Sequence, residues 1–478
     1  MSIIITLLEG RQVGVVRQAS GRLSFRYEES WRAAPGVYPL SLSMPLAARD
    51  HGHAAISAFL WGLLPDNELV LERWAKRFHV SPRNPFALIS KVGEDCAGAV
   101  QFATPDRLDS MLGQADSNIS WLTEAEVAER LRALQADVAA WRSPRDTGQF
   151  SLAGAQPKTA LYFDGQRWGV PSGRTPTTHI LKPPTGSLDG HLENEHLCLA
   201  LARALGLPAA RSEVRNFNGV NAIVVERYDR VRIPELAAAT AAMAAAKDAE
   251  AAQAAAKAKS LCEFANTARM YRVHQEDFCQ ALGRPPSAKY QNEGGPGPSE
   301  IVNLLRAAAF GGEADRKRGG KSSADEDIAT FIDALIFNWL IGGTDAHAKN
   351  YSILLGAGGL VRFAPIYDVA SILAYPDFDP KKAKLAMKIG GNYQLDQIGM
   401  REWRKLASEL RLDTEAVIGR IRAMAEALPD NILMEKKHAE QCGLRHPILP
   451  RLVDTLTERA KECSRRISAD VSRDARSD

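Results

Sequence analysis

The chain carries almost no net charge: 60 basic residues against 57 acidic ones leave +3. A protein that grips nucleic acid by bulk charge needs a larger excess, so only local basic patches stay open. Cysteine is sparse and unpatterned. The six, at positions 96, 198, 262, 279, 442 and 463, include no Cys-x-x-Cys pair, which argues against a zinc ribbon or a thioredoxin-type motif. They read as reduced, mostly buried thiols of a cytosolic protein. The closest histidine pair, His51-x-His53, lacks partners at ligand spacing, so no metal centre is expected there. Long apolar runs are missing too. The longest, Ile328 to Leu340, contains Asp333 and Asn338 and is too short to span a bilayer. The N-terminus, MSIIITLLEGRQVG, lacks the basic start and longer apolar core of a signal peptide. A cytoplasmic protein with no membrane partner is expected.

What is present suits an ordinary globular protein, with 45% apolar and 24% charged residues. A length of 478 residues exceeds one core and predicts two or three domains. Ile3–Leu8 and Gln12–Arg17 read as a hairpin around Glu9-Gly10-Arg11. Ala54–Leu64 reads as a buried helix, and Glu124–Trp141 as a helix with Leu131, Leu134 and Val138 on one face. From Phe150 to Asp229 the pattern turns to strands and glycine turns, with candidates at 156–163, 168–170, 178–181 and 222–225. One helix, 193–205, interrupts them and is closed by Gly206 and Pro208. Residues 236–259 are nearly pure alanine with charged residues and read as a solvated helix or insertion. Helical periodicity follows at 300–309, 327–341, 401–411, 414–428 and 448–467. The expected class is α+β, two-lobed, with a sheet in the N-terminal half and a helical C-terminal lobe. The expected division is 1–108, 109–260 and 261–478.

Four segments carry chemistry. Ser151-Leu152-Ala153-Gly154-Ala155-Gln156-Pro157-Lys158 is built of small residues that let backbone N–H groups approach phosphate oxygens. Alone it is more simply an ordinary turn. Lys182 ends a short apolar strand and could reach nucleotide phosphates, with Glu193 or Glu195 of the following helix to orient it. Alone it is more simply a surface lysine. In Gly342-Gly343-Thr344-Asp345-Ala346-His347-Ala348-Lys349-Asn350 a buried helix breaks and four polar residues fall within six positions. Asp345 five residues before Asn350 fits a catalytic loop, where the carboxylate orients the attacking hydroxyl and the amide holds a metal ion. Asp368 follows after one hairpin, where kinases place a second magnesium ligand. Each signal is weak, but their order is the one phosphoryl transfer requires.

These segments, with ENEHLCLALARALGL, VVERYDR, HQEDFCQALGRPP, KYQNEGGPG and FAPIYDVAS, resemble the HipA toxin kinases of bacterial type II toxin–antitoxin modules over about 1–235 and 260–430. The resemblance implies an ATP- and Mg2+-dependent serine/threonine kinase with Asp345 catalytic. Asn350 and Asp368 would bind magnesium, and Glu195 would orient Lys182. Nucleotide contacts would come from Ser151, Ala153, Gly154, Ala155, Gln156 and Lys158, from Lys182, and from Glu226, Tyr228 and Asp229 at the hinge and ribose. His347 and Lys349 on the catalytic loop are expected beside the nucleotide. Ser151 would be autophosphorylated as an off-switch. The implied partners are a helix-turn-helix antitoxin of the HipB type, operator DNA mainly through it, and an aminoacyl-tRNA synthetase, of glutamyl type, as substrate. The alanine-rich stretch departs from the family pattern and puts partner geometry in doubt. The basic run Arg316-Lys317-Arg318 with Lys321 is most simply a solvated loop. Two alternatives stay open: a small-molecule kinase, and a non-catalytic co-repressor acting with its antitoxin.

Overall fold

The computed structural model describes residues 2–112, 119–142, 150–184, 186, 188–232, 270–309 and 323–474. The alanine-rich stretch and the basic run at 316–321 lie outside them. The chain forms two compact units. One comprises Met1–Leu40, Met44–Leu181 and Glu226–Gln275, the other Ser41–Ser43, Lys182–Val225 and Glu276–Asp478.

The first unit opens with three antiparallel strands, β1 (Ser2–Leu8), β2 (Arg11–Ala19) and β3 (Arg22–Tyr27). Two-residue turns join them, Glu9-Gly10 with φ of 53° and 72° and Ser20-Gly21 with 47° and 76°. Two successive left-handed residues make the type I′ turn whose twist matches the flanking strands. The expected hairpin is therefore present, turning on Glu9-Gly10. Along β3 Leu23, Phe25 and Tyr27 point into the core and the residues between face out. β4 (Asp50–His51) and β5 (Gln101–Ala103) complete the sheet in the order β4-β3-β2-β1-β5. Between them lie α1 (His53–Gly62), α2 (Glu68–Phe78) and α3 (Pro85–Val92).

After β6 (Ile119–Leu122), the helix α4 (Glu124–Ala136) starts on a capping box of Thr123 and Glu126. It ends five residues short of the expected Trp141. The Asp137 carboxylate accepts from the Ala139 N–H at 3.0 Å, a local turn that competes with another helical turn. Val138, expected on the buried face, is consequently 37% exposed, while Leu131 and Leu134 are buried. β7 (Thr159–Phe163) pairs antiparallel with β8 (Trp168–Pro171) and β9 (His179–Lys182), and β6 pairs with β8.

Lys182 begins the second unit. There α5 (His191–Ala204) precedes the hairpin of β10 (Ser212–Phe217) and β11 (Val220–Glu226). Its turn, Asn218-Gly219, again has both φ positive. The chain returns to the first unit in β12 (Arg230–Arg232) and β13 (Met270–Arg272), which pair antiparallel, and then runs through β14 (His274–Asp277). The second unit then continues through α6 (Pro298–Ala309), α7 (Ser323–Ile341), the β15 (Ser352–Gly356) and β16 (Leu360–Phe363) hairpin, and a small β17 (Lys384–Ile389) and β18 (Asn392–Gln394) pair. It closes with α8 (Met400–Glu409), α9 (Thr414–Gln441) and α10 (Ile448–Asp474).

From Ala334 to Ile341 helix α7 is buried on every side, as an all-round apolar stretch must be. The one amide in that stretch, Asn338, donates to the Ala334 carbonyl at 2.9 Å and the Tyr351 hydroxyl at 3.0 Å. Helices α9 and α10 pack against it and each other. Helix α9 runs through Pro429, beyond the expected end at 428, because Leu428, Ile432 and Ala439 keep one face buried across the missing hydrogen bond.

Candidate active site

Two carboxylates of the second unit meet at one lysine. Lys182 Nζ lies 2.8 Å from Glu195 Oε1 and 2.8 Å from Asp368 Oδ1. The lysine and Glu195 are 6% and 1% exposed. Burial alone would depress the lysine's pKa, but the two carboxylates, Asp368 more strongly, hold it raised and charged. Glu195 comes from α5, whose buried first turns carry Glu193, Asn194 and Glu195 in succession. Asp368 has φ 57°, a left-handed conformation that costs a non-glycine residue. It is held on its N-terminal side by Ile366, whose N–H donates to the Pro208 carbonyl and whose carbonyl accepts from the Ala210 N–H, both at 2.9 Å.

Asp345 stands on the loop that leaves α7. The helix ends at Gly342, φ 68°, and the Gly343 N–H reaches back to the Asn338 carbonyl at 2.8 Å. A Cβ on Gly342 would meet the Leu373 side chain at 2.5 Å, and one on Gly343 would meet Asn338 Oδ1 at 2.2 Å. Both glycines are therefore required by space. Beyond them Asn350 Nδ2 donates to the Asp345 carbonyl at 2.7 Å, and the His347 N–H to the same carbonyl at 2.8 Å. These bonds fold 345–350 into a rigid hook with the Asp345 carboxylate exposed. His347 is buried, and desolvation lowers its pKa, with Lys289 adding to the effect and Asp345 and Asp368 opposing it. Both aspartates thus lie within electrostatic reach of one imidazole.

The hook is tied to the Asp368 segment. The Tyr367 hydroxyl donates to the Lys349 carbonyl at 2.8 Å and is 2.7 Å from Ser352 Oγ. Lys349, expected beside a nucleotide, is instead 5% exposed, with Nζ 3.8 Å from Asp277 Oδ2. The main residue that sequence reasoning missed is Tyr290. Its hydroxyl donates to Asp345 Oδ1 at 2.5 Å, its ring stands edge-on to His347 at 4.9 Å, and the Lys289 carbonyl accepts from the Ala348 N–H at 3.2 Å. Its one signal in the sequence is its place in KYQNEGGPG, a segment that carries the family resemblance.

The remaining expected residues lie in the first unit. Ser151 is fully buried, its Oγ donating to the Leu63 carbonyl at 2.7 Å and its N–H to the Asp95 carbonyl at 2.9 Å. Lys158 Nζ donates to the Ala153 carbonyl at 2.7 Å and lies over the Trp141 ring. Between these anchors Ala153, Gly154, Ala155 and Gln156 are partly or fully exposed, with Gly154 at φ 100°. Glu226 is exposed, and the Tyr228 hydroxyl bonds Gln275 Oε1. Asp229, expected near the ribose, is a buried member of an ion-pair network. It is 2% exposed, and its carboxylate accepts from the Gly98 N–H at 2.7 Å and from Arg227 at 2.9 Å. With Arg230, Arg272 and Asp95 it forms a buried five-charge network. Burial would raise the Asp95 pKa, but the three guanidiniums hold it well below the usual carboxylate range.

The donor set fits magnesium. Among the described residues no three His, Cys, Asp or Glu side chains gather as a metal cage. Asp368 offers a carboxylate 34% exposed, and Asn350, its Nδ2 spent on Asp345, offers an amide oxygen. Mg2+ commonly takes one or two such oxygens and completes its shell with phosphates and water.

This α+β fold is of the protein-kinase-like class. Residues 150–432 match the HipA-like C-terminal domain and residues 4–103 the HipA N-terminal domain. The chain is 33% identical over 459 residues to the putative kinase Y4mE of Sinorhizobium fredii, covering 95% of this chain and 96% of that one. It is 28% identical over 412 residues to the serine/threonine-protein kinase toxin HipA of Shewanella oneidensis, covering 85% and 82%. A HipA structure from Shewanella oneidensis MR-1, solved with HipB and operator DNA, has a TM-score of 0.74 at 24% identity over 98% of each chain, which shows the shared fold. The chain belongs to the HipA family of serine/threonine-protein kinase toxins.

Proposed function

We propose that this kinase uses ATP and Mg2+ to phosphorylate a protein serine or threonine, with Asp345 as the catalytic carboxylate. The observation that carries the reading is the Lys182 ammonium held at 2.8 Å from both Glu195 and Asp368. A lysine so placed is fixed and charged before a polyphosphate arrives. Lys182 would bind nucleotide phosphates, with Glu195 keeping it in place. Asp368 and Asn350 would hold Mg2+, which supplies neutralisation of phosphate charge. Asp345 Oδ2, the oxygen not taken by Tyr290, would accept the proton of the substrate hydroxyl as its oxygen bonds to the γ-phosphorus and ADP departs. Small residues at 153–156 would give phosphate oxygens close access to backbone N–H groups.

By family, the substrate is an aminoacyl-tRNA synthetase of glutamyl type, whose modification arrests translation and growth. The partner is a HipB-like antitoxin that carries the complex to operator DNA, as in the Shewanella assembly. Autophosphorylation of Ser151 would be the off-switch. Its Oγ is buried against the Leu63 carbonyl, so the segment must leave its seat to be modified. Roughly two added negative charges would then bar its return.

The test is labelled ATP with Mg2+, the parent beside Asp345→Ala and Ser151→Ala, with the phosphate located by peptide mapping. Label at Ser151 that vanishes in Asp345→Ala is expected. An absence of both label and nucleotide binding would favour a co-repressor, and phosphate appearing only on small molecules would favour a metabolite kinase.

A further inference from the structure

The buried amide of Asn194 has no part in the mechanism above, yet all its hydrogen-bonding capacity is used. Nδ2 donates to the Ser371 carbonyl at 2.7 Å, and Oδ1 accepts from the Ser371 N–H at 2.9 Å. Nδ2 also lies 3.4 Å from the Tyr375 hydroxyl, and Oδ1 accepts from Cys198 Sγ at 3.3 Å. That is two donors and two acceptor positions, the full complement of a carboxamide. The side chain is 0% exposed. One amide satisfying both backbone groups of a single residue is a two-point clasp, and it fixes orientation as well as distance.

The location gives the clasp its meaning. Asn194 immediately precedes Glu195, and Ser371 lies three residues after Asp368. The stretch from Ile366 to Ser371 is therefore pinned at both ends, by the Pro208 and Ala210 backbone at one and by Asn194 at the other. Between the pins Asp368 is forced into its left-handed conformation. A third tie reaches the catalytic loop: Ser371 Oγ donates to the Ile341 carbonyl at 2.5 Å, and the Ile372 N–H to the Gly342 carbonyl at 3.2 Å. The start of the Asp345 loop, the Asp368 arc and the Glu195 helix thus meet at Ser371.

We infer that Asn194 is a positioning residue: by clasping Ser371 it sets Glu195 and Asp368 at the separation one lysine can bridge, and so holds the Mg2+-binding carboxylate in place. This rests on the reading of Asp368 as a metal ligand. Without the clasp, α5 and the 367–370 arc are free to part. Lys182 then stays with Glu195, and Asp368 relaxes from its left-handed conformation.

The test uses the full chain with Asn194→Asp, which keeps the shape and the acceptor but loses the donor to the Ser371 carbonyl. Nucleotide affinity is measured by calorimetry with and without Mg2+, beside the Mg2+ concentration giving half-maximal phosphotransfer. In the variant the Mg2+ half-point should rise about tenfold, and the gain in nucleotide affinity on adding Mg2+ should shrink by a similar factor, as expected for about 1.4 kcal/mol. Affinity without Mg2+ should stay within about twofold. A residue that served only stability would lower the folded fraction and the rate together and leave the half-point alone. Should Asn194→Asp fail to fold, Tyr375→Phe, which removes the weaker partner, should move the same half-point in the same direction by a few-fold. An active parent whose variants keep an unchanged half-point overturns the inference alone. A parent that shows no phosphotransfer removes the kinase reading and the inference with it.

Discussion

Single residues at the site do two jobs, and the two can be separated by substitution. Lys182 binds the nucleotide in the proposed mechanism, but it also neutralises Glu195, which is 1% exposed. Lys182→Met should therefore abolish phosphotransfer and cost about 3–5 kcal/mol of stability, because it strands a buried charge. Adding Glu195→Gln should recover much of that stability and none of the activity; denaturant unfolding beside the phosphotransfer assay reads both, and activity returning with stability would contradict the assignment. Tyr290→Phe isolates one hydrogen bond to Asp345. A bond to a charged acceptor is worth about 1.5–3 kcal/mol when desolvated, less when exposed, so kcat should fall about tenfold with nucleotide affinity unchanged. An unaltered kcat would mean that Asp345 needs no such partner. Lys182, Asp345, Asn350 and Asp368 stood out in the sequence because charged and polar residues beside apolar segments are conspicuous. Asn194 and Ser371 did not, since their partners lie 177 positions away and a buried asparagine in a helix looks like any other. The surroundings of Asp229 were not legible for a related reason. Its own partners Arg227 and Arg230 are neighbours in the chain, but they also pair with Asp95, which Arg272 joins, and that wider network exists only in three dimensions.

At the level of elements, glycine explains most of what could be read in advance. The Glu9-Gly10 turn was legible from its glycine, and Gly206 marked the end of α5. The boundaries that slipped are ones where a side chain competes with the helix, as at Asp137, or where packing overrides a break, as at Pro429. The join between α7 and the Asp345 loop is the element most exposed to test. Gly342→Ala places a Cβ 2.5 Å from Leu373 at a φ of 68°. The conformation alone costs about 1–2 kcal/mol, and displacing Leu373 would disturb the 368–373 segment next to Asp368. Both stability and phosphotransfer should drop, the latter by more than lost folding explains. A variant with parental rates would show that the loop tolerates a different exit from the helix.

At the level of the whole molecule, the two units should respond to pH in different ways. Burial holds His179 and His274 of the first unit at about 4, against the ordinary 6.5. The unfolded chain then takes up protons that the folded one refuses, so the first unit gains stability as pH rises from 4 to 6.5 and is level above that. In the second unit burial likewise holds His196 at about 4, but it pushes Glu276 up to about 8. Glu276 is 1% exposed, with one oxygen accepting from the Leu42 N–H at 2.8 Å. Its protonated form is the one that suits this site. The stability it contributes is complete below 4.5 and lost as pH climbs through 8. Between 4.5 and 6.5 the two groups offset each other. From 6.5 to 8 only Glu276 is still exchanging protons on unfolding, and at about 1.4 kcal/mol per pH unit the second unit should lose about 2 kcal/mol. Hydrogen exchange at pH 6.5 and 8 reads the units separately: protection in α7 and α9 should fall on that scale, that in β1 to β3 should not, and Glu276→Gln should abolish the difference. Equal losses in both units would place the titrating group elsewhere.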